Sequence, residues 1–325
     1  MKKRIFSVLT ATILLCACLP LGAVNVSAFG DANFSYIFED GAVTITDCAE
    51  NATSVEIPST IEGYPVTAIG DWTFKNCTFL TSVTIPNSVT TIGQGAFYSC
   101  SSFTTVTIPD SVTTIGKSAF SQCYGLTSVT IGDGVTALEE NAFSGCTSLE
   151  SVTIGDSVAT IGKRAFSFCQ SLTSVTFGDG IVTIGDYAFY KCSSLEQVTI
   201  PDGVTTLGMN AFSGCTSLAS VTLPDSIVSI ERSAFGDCDA LTDVYYGGSL
   251  KDRENISFGN TTFNDLLDAS WHYAQSPALA NAGPLLGVAV GVVLVAIFTF
   301  VIWYRRKKQK TIEQNENSSN QEESL

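Results

Sequence analysis

The feature that most constrains the fold is a phenylalanine that returns every 23 residues and is followed each time by a cysteine three residues later. The eight phenylalanines are Phe74, Phe97, Phe120, Phe143, Phe166, Phe189, Phe212 and Phe235. The cysteines keep the same interval from Cys77 to Cys238, with no insertion or deletion. Self-similarity at a period of about 20 to 50 residues indicates a solenoid, in which each repeat buries its apolar face against its neighbours.

Each repeat begins with a short strand and ends with an apolar stripe. In "SVTIP", Val83 and Ile85 alternate with polar residues, which predicts a strand with one buried face. Proline or glycine and then asparagine or aspartate follow, which is typical of a turn. The repeat closes on Ala96, Phe97 and Cys100, whose spacing predicts a short helical turn. We therefore predict an α/β repeat solenoid with short parallel strands and short helical turns, in which rungs about 4.8 Å apart stack.

The segment "LTSVTIPNSVTTIGQGAFYSC" (80–100) resembles the BspA-like leucine-rich repeats of bacterial, and some protist, surface proteins. The resemblance covers roughly residues 55–241 and includes the strand, the turn, Ile-Gly and Ala-Phe-x-x-Cys. The segment "YIFEDGAVTIT" (36–46) matches as a β-hairpin that caps the first rung, and "DVYYGGSLKDRENI" with "LLDASWHY" is similar to the closing cap. The resemblance implies a leucine-rich-repeat solenoid whose surface binds host or neighbouring-cell proteins. We assign residues 29–54 to the N-terminal cap, 55–243 to the solenoid and 244–273 to the C-terminal cap.

The sequence predicts a signal peptide at the N-terminal end and a membrane span near the C-terminal end. Residues 1–28 begin with three basic residues, continue with an apolar run and end in "VSA", which predicts a secretory signal peptide. Lipid attachment at Cys18 is the alternative. Residues 285–304 carry no charge and predict one transmembrane helix, because at about 1.5 Å per residue they span roughly 30 Å. The basic "RRKK" that follows predicts a cytoplasmic tail (305–325), and residues 274–284 a linker outside. The expected location is a single-pass cell-membrane protein with an extracellular N-terminal domain.

The charge of the predicted extracellular part excludes one class of partner. Residues 29–284 contain 8 Lys or Arg and 27 Asp or Glu, a net charge of −19. A surface of this sign repels phosphate backbones, so we expect no nucleic acid partner. The expected partner is an extracellular protein or glycan.

The outward positions of the predicted strands are the candidate binding residues, because solenoids present extended surfaces for recognition. The alternative is that threonine serves strand propensity and solubility there. The candidates share the position after the buried valine: Thr107, Thr130, Thr153, Thr176, Thr199 and Thr222.

Two further columns have structural and functional interpretations. The repeat cysteines, such as Cys123, have three interpretations: buried thiols, disulfides between rungs, or metal ligands. Burial in the apolar stripe is favoured, since the repeats lack the histidines and the paired CxxC spacing of a metal site.

The aspartates from Asp110 to Asp225 have two interpretations. They either bond to backbone amides two residues on and shape the turn, or bind calcium. We predict no metal and no cofactor.

The sequence favours a binding protein over an enzyme. The one histidine, His272, lies in the predicted cap, and we find no nucleophile elbow, Walker sequence or dinucleotide fingerprint. We therefore predict no catalytic residue. The function expected is cell-surface adhesion or protein binding. The alternatives are an envelope spacer without a specific ligand, and a receptor-like module that dimerises through Gly287 and Gly291 of the membrane span.

Overall fold

The computed structural model describes residues 34–49, 51–259 and 264–274, in which each 23-residue repeat makes one turn of a coil, here called a rung. The predicted signal peptide, membrane span and tail lie outside these residues, as does the linker apart from Ala274. No helix among the described residues is long and apolar enough to cross a membrane.

A β-hairpin covers the first rung, as predicted. Strands β1 (Phe34–Glu39) and β2 (Ala42–Cys48) pair antiparallel, with Tyr36 opposite Ile45. β2 then pairs in parallel with β5 (Tyr64–Ile69), the last strand of the first rung. The first rung also contains β3 (Ser54–Glu56) and β4 (Thr60–Ile61), and β4 pairs antiparallel with β5.

Each later rung has two strands. The first carries the alternating valine and threonine, and its copies are β6 (Ser82–Thr84), β8 (Thr105–Ile108), β10 (Ser128–Ile131), β12 (Ser151–Thr153), β14 (Ser174–Thr176), β16 (Gln197–Thr199), β18 (Ser220–Leu223), β20 (Asp243–Tyr246) and β22 (Ser270–Tyr273). The second strand, which the periodicity analysis did not predict, has two residues per rung: β7 (Thr91–Ile92), β9 (Thr114–Ile115), β11 (Ala137–Leu138), β13 (Thr160–Ile161), β15 (Thr183–Ile184), β17 (Thr206–Leu207), β19 (Ser229–Ile230) and β21 (Ser257–Phe258).

Parallel pairing joins equivalent strands of successive rungs. The second strands form one continuous sheet that runs from the hairpin to β21. The first strands form three shorter sheets, β3 with β6, β8 to β14, and β16 to β22. A residue of one rung therefore lies beside the residue 23 positions further along, as Val129 lies beside Val152.

The predicted helical turns are wrong, and with them the α/β assignment: these rungs are β-strands joined by turns. In a helix the N–H of Phe97 would bond four residues back, but it donates to the carbonyl of Ala119 in the next rung at 2.7 Å. Ser99 likewise donates to Ser121 and has a left-handed φ of 59°, which ends any helical path. Among the described residues, helical structure is confined to α1 (Leu250–Arg253) and a 3₁₀ turn, Asp265–Leu267.

The repeat phenylalanines form one stack through the core. All eight are fully buried, and neighbouring rings lie 4.8 to 5.3 Å apart between centroids. Their planes differ by at most 10°, so successive rings are stacked. Phe103, where the other repeats have leucine, packs against Phe97 at 5.6 Å. Burial of these rings stabilises the coil together with the aliphatic residues of the core.

The repeat cysteines line the same core as thiols. From Cys100 to Cys238, each Sγ donates to the carbonyl of the phenylalanine 26 residues earlier, at 3.0 to 3.3 Å. Burial raises the pKa of Cys215 to about 12, and it raises the pKa values of Cys123, Cys169 and Cys192 well above the ordinary range. The thiol form is therefore strongly favoured at neutral pH, and these cysteines act as small apolar groups.

Replacement of a central ring tests the contribution of the stack. Phe143→Ala removes a fully buried ring from between Phe120 and Phe166. We expect it to lower the free energy of unfolding in urea by about 3 to 5 kcal/mol, because the cavity cannot close within a rigid rung. Phe79, which is 64% exposed, is the control; Phe79→Ala is expected to change stability by less than about 0.5 kcal/mol. Equal effects of the two changes would refute the expected contribution of the stack to stability.

Thiol labelling tests the cysteine column. A maleimide at neutral pH is expected to leave Cys123 and Cys215 unmodified in the native protein and to label both after unfolding, because only the thiolate reacts quickly. Peptide mapping by mass spectrometry locates the labels. Rapid native labelling of either cysteine, or a disulfide between neighbouring rungs, would contradict the buried thiol column.

Candidate binding surface

The predicted threonine column exists on the first strands. Valine at the middle of each strand points into the core, so the threonine after it points outward. Thr107, Thr130, Thr153 and Thr176 lie side by side in register and are exposed. Thr199 and the half-buried Thr222 lie side by side in the next sheet. The outward strand face is defined here by these threonines and by the parallel column two residues earlier, from Ser82 to Ser270.

The outward strand face ends in aromatic and charged residues that the sequence analysis did not include. Tyr245 pairs in register with Thr222, and His272 pairs with Tyr245, so both continue the threonine column. Their rings stack at 4.8 Å between centroids, and both side chains are exposed. His272, predicted as a structural cap residue, therefore lies on the candidate binding surface. The alternation in "DVYY" and "SWHY", which repeats that of "SVTI", was the signal for this register.

A hydrogen bond to Asp243 fixes the orientation of His272. Its Nε2 lies 2.7 Å from Oδ1 of Asp243, which faces outward one column away. Oδ2 of Asp243 accepts a second hydrogen bond from Thr242 Oγ1 at 2.8 Å. The bond from His272, and then that from Thr242, lower the pKa of Asp243 below its ordinary value.

The aspartate column lies on the turn between the two strands of a rung. Its hydrogen bonds to backbone amides differ from those that the sequence predicts. Oδ1 of Asp110 accepts from the amide of Asp133 in the next rung at 3.0 Å, and Asp133 accepts from the amide of Asp156 at 2.9 Å. The carboxylates of Asp110 and Asp133 therefore bridge rungs instead of bonding to the amide two residues on. In the described ranges there is no group of three or more His, Cys, Asp or Glu residues placed to hold a metal ion. A surface depression, lined by Asn87, Asp110, Thr107 and Thr130 among others, adjoins this turn.

The geometry agrees with the comparisons with known proteins. A sequence profile described as the BspA type leucine rich repeat region matches residues 45–171 and 136–266, with six copies. This chain belongs to the BspA-type leucine-rich-repeat family. The matched residues include the strands from β3 to β21 and the turns between them.

Solved structures of other leucine-rich-repeat proteins resemble this BspA-type chain. The T. pallidum leucine rich repeat protein (TpLRR) is 27% identical, with a TM-score of 0.50; the match covers 64% of this chain and 87% of that protein. A leucine-rich repeat protein from Bacteroides ovatus ATCC 8483 is 30% identical, with a TM-score of 0.47, over 68% of this chain and 70% of that one. No curated protein matches the sequence.

Titration of Asp243 tests the contact with His272. Because the folded pKa of Asp243 is lowered, the contribution of this contact is present above the ordinary carboxyl pKa and is lost as the pH falls through the folded value. His272→Ala is expected to raise the pKa of Asp243 toward its ordinary value in a carboxyl carbon NMR titration. Ser270→Ala, on the same strand, is the control and is expected to leave that pKa unchanged. An unchanged Asp243 pKa in His272→Ala would refute the assigned cause.

Proposed function

We propose that this protein is a cell-surface adhesion or protein-binding protein that presents its solenoid outside the membrane. The observation that carries the proposal is the outward strand face. From Thr107 to Thr176 its threonines stand in register over four rungs and are exposed, and none of them belongs to the buried core. Because these threonines do not pack in the core, their side chains are available to contact a ligand along an extended surface.

Three further observations support the proposal. The chain belongs to a family of repeat proteins, and repeat surfaces serve binding. The sequence predicts a signal peptide at residues 1–28 and a membrane span at residues 285–304, which would hold the solenoid at the cell surface. The outward strand face also ends in Tyr245 and His272, which add an aromatic contact area to a polar column. Tyrosine is enriched among the residues that contribute most to protein interfaces. The proposal assigns no catalytic step.

The ligand class is tested with the full-length protein displayed on a heterologous cell. Adhesion of these cells to matrix proteins, mucins, glycans and other cells is measured with and without calcium. Saturable adhesion to one class supports the proposal, and dependence on calcium would assign a role to the aspartate column. Absence of saturable adhesion over the whole panel would favour an envelope spacer instead.

The outward strand face is tested by charge. Replacement of Thr130, Thr153 and Thr176 with lysine is expected to abolish adhesion and to leave the circular dichroism spectrum unchanged, because these side chains are exposed. The matched control places three lysines at Thr113, Thr136 and Thr205, which are exposed threonines before the second strand. The control is expected to adhere like the unchanged protein. Equal adhesion of both variants would move the site away from the outward strand face.

A further inference from the structure

A second surface cluster lies on the turn that follows the second strand of two neighbouring rungs. Its members, here called the aromatic–cation patch, are Arg164, Phe168, Tyr187, Tyr190 and Lys191. Phe168 is 40% exposed, both cations are exposed, and the two tyrosines are half-buried. None of these residues belongs to the outward strand face.

The side chains of the patch contact one another closely. The Arg164 guanidinium lies 5.0 Å from the centroid of the Tyr187 ring. Nζ of Lys191 lies 5.6 Å from the ring of Phe168 and 5.4 Å from that of Tyr190. The Tyr190 ring meets Phe168 and Tyr187 edge to face, at 5.4 and 5.5 Å between centroids. The cations are therefore held in place by rings, which leaves their N–H groups open to an acceptor.

The backbone does not require these residue types. Arg164, Phe168, Tyr187 and Lys191 all have left-handed φ angles, between 56° and 61°. Bulky side chains are disfavoured in this region, whereas asparagine and glycine adopt it readily. The rung before the patch has Asn141 and Gly145 at the equivalent positions, and the rung after it has Asn210 and Gly214.

The next rung fixes the left-handed conformation whatever the side chain is. The amide of Arg164 donates to Asp186 O at 2.9 Å, and that of Phe168 donates to Tyr190 O at 2.7 Å. The amides of Tyr187 and Lys191 donate in the same way to the following rung, at 2.8 Å each. Two neighbouring rungs therefore carry large aromatic and basic side chains at positions that the rungs on either side fill with asparagine and glycine. The first rung carries another large residue, Trp72, at one of these positions, with a φ of 59°. Such local conflicts are characteristic of functional sites.

The electrostatics of the patch oppose those of the rest of the surface. Residues 29–284 have a net charge of −19, yet Arg164 and Lys191 lie together, with Lys163 also exposed beside Arg164 in sequence. The contacts between basic and acidic side chains found in the described part of the chain, Lys117 with Glu140 and His272 with Asp243, include none of these three cations. Their charges are available to an anionic partner.

We propose that the aromatic–cation patch binds an acidic segment of a partner protein in which carboxylate and apolar side chains alternate. Arg164 and Lys191 would donate N–H hydrogen bonds to the carboxylates, and Phe168 would contact the apolar side chains. Tyrosine and arginine are the residues enriched where protein interfaces gain most of their binding energy.

Two observations favour a peptide over an acidic glycan. A sugar ring needs an open aromatic face, but Arg164 and Lys191 lie over the ring faces and the rings meet edge to face. A dense polyanion, which carries more negative charge than a short segment with spaced carboxylates, would also be repelled more strongly by a domain whose net charge is −19. This site is separate from the outward strand face, so either proposal can fail alone.

The test measures binding of a labelled synthetic peptide, in which glutamates alternate with leucines, to the full-length protein by fluorescence anisotropy. The central variant gives the patch the residues of the flanking rungs: Arg164→Asn, Phe168→Gly, Tyr187→Asn and Lys191→Gly. We expect saturable binding that weakens with salt, and a loss of about tenfold or more in affinity in the variant. Because asparagine and glycine suit the left-handed conformation, the melting temperature of the variant is expected to be equal or higher.

Matched probes and variants separate the outcomes. A peptide with glutamine in place of glutamate is expected to bind at least about tenfold more weakly, and the alanine variant of Thr130, Thr153 and Thr176 is expected to bind the acidic peptide normally. A lowered melting temperature in the patch variant would show that the residues serve the fold, and it would overturn the proposal. Retained peptide binding in that variant, binding of sialylated or uronic oligosaccharides in place of the peptide, or self-association of the protein lost in the variant would also overturn it.

Discussion

Hydrogen bonds between the backbones of successive rungs are the constraint on which the rest of the structure depends. The amide of Gly93 donates to Ile69 O at 2.8 Å and that of Phe97 to Ala119 O at 2.7 Å, so both strands and turns bond to neighbouring rungs. Buried polar backbone groups must find such partners. A change of length within one rung would shift every donor relative to its acceptor, which explains the unbroken interval from Phe74 to Phe235.

This stacking places each side chain beside its own equivalents. Phenylalanine and cysteine suit a buried column, because rings stack on rings and each thiol finds a carbonyl. Aspartate suits a column less well, since carboxylates about 5 Å apart repel one another. The bond from the amide of Asp133 to Asp110 offsets part of that repulsion. The composition of each column thus follows from what it contacts.

Both proposed recognition surfaces consist of side chains that the core does not use. The outward strand face varies little from rung to rung and offers a long polar surface that ends at Tyr245 and His272. The aromatic–cation patch is the opposite case, because it departs from its flanking rungs over only two turns. A uniform column suits extended contact, and a local departure suits a defined anchor. The two proposed surfaces therefore differ in kind as well as in position.

Much of this architecture could be predicted from the sequence. Alternation in "SVTIP" and the interval between Phe74 and Phe97 determined the rungs, the buried columns and the outward threonines, because burial selects residue type locally. The sequence also indicated the hairpin around Tyr36.

Only the tertiary structure decided where the polar groups find partners. The turn at Phe97 looks helical in sequence, yet its amides bond to a rung 23 residues away, which a local pattern does not contain. For the same reason, the sequence did not predict that Asp110 accepts a hydrogen bond from an amide of the next rung, or that His272 lies in register with the threonine column. Arg164 and Lys191 likewise occupy variable positions in the repeat, and stacking of the rungs places them around the same rings. The order of residues along the chain is enough to predict which positions are buried. Contacts between rungs depend on how the rungs stack, and a single repeat does not contain that information.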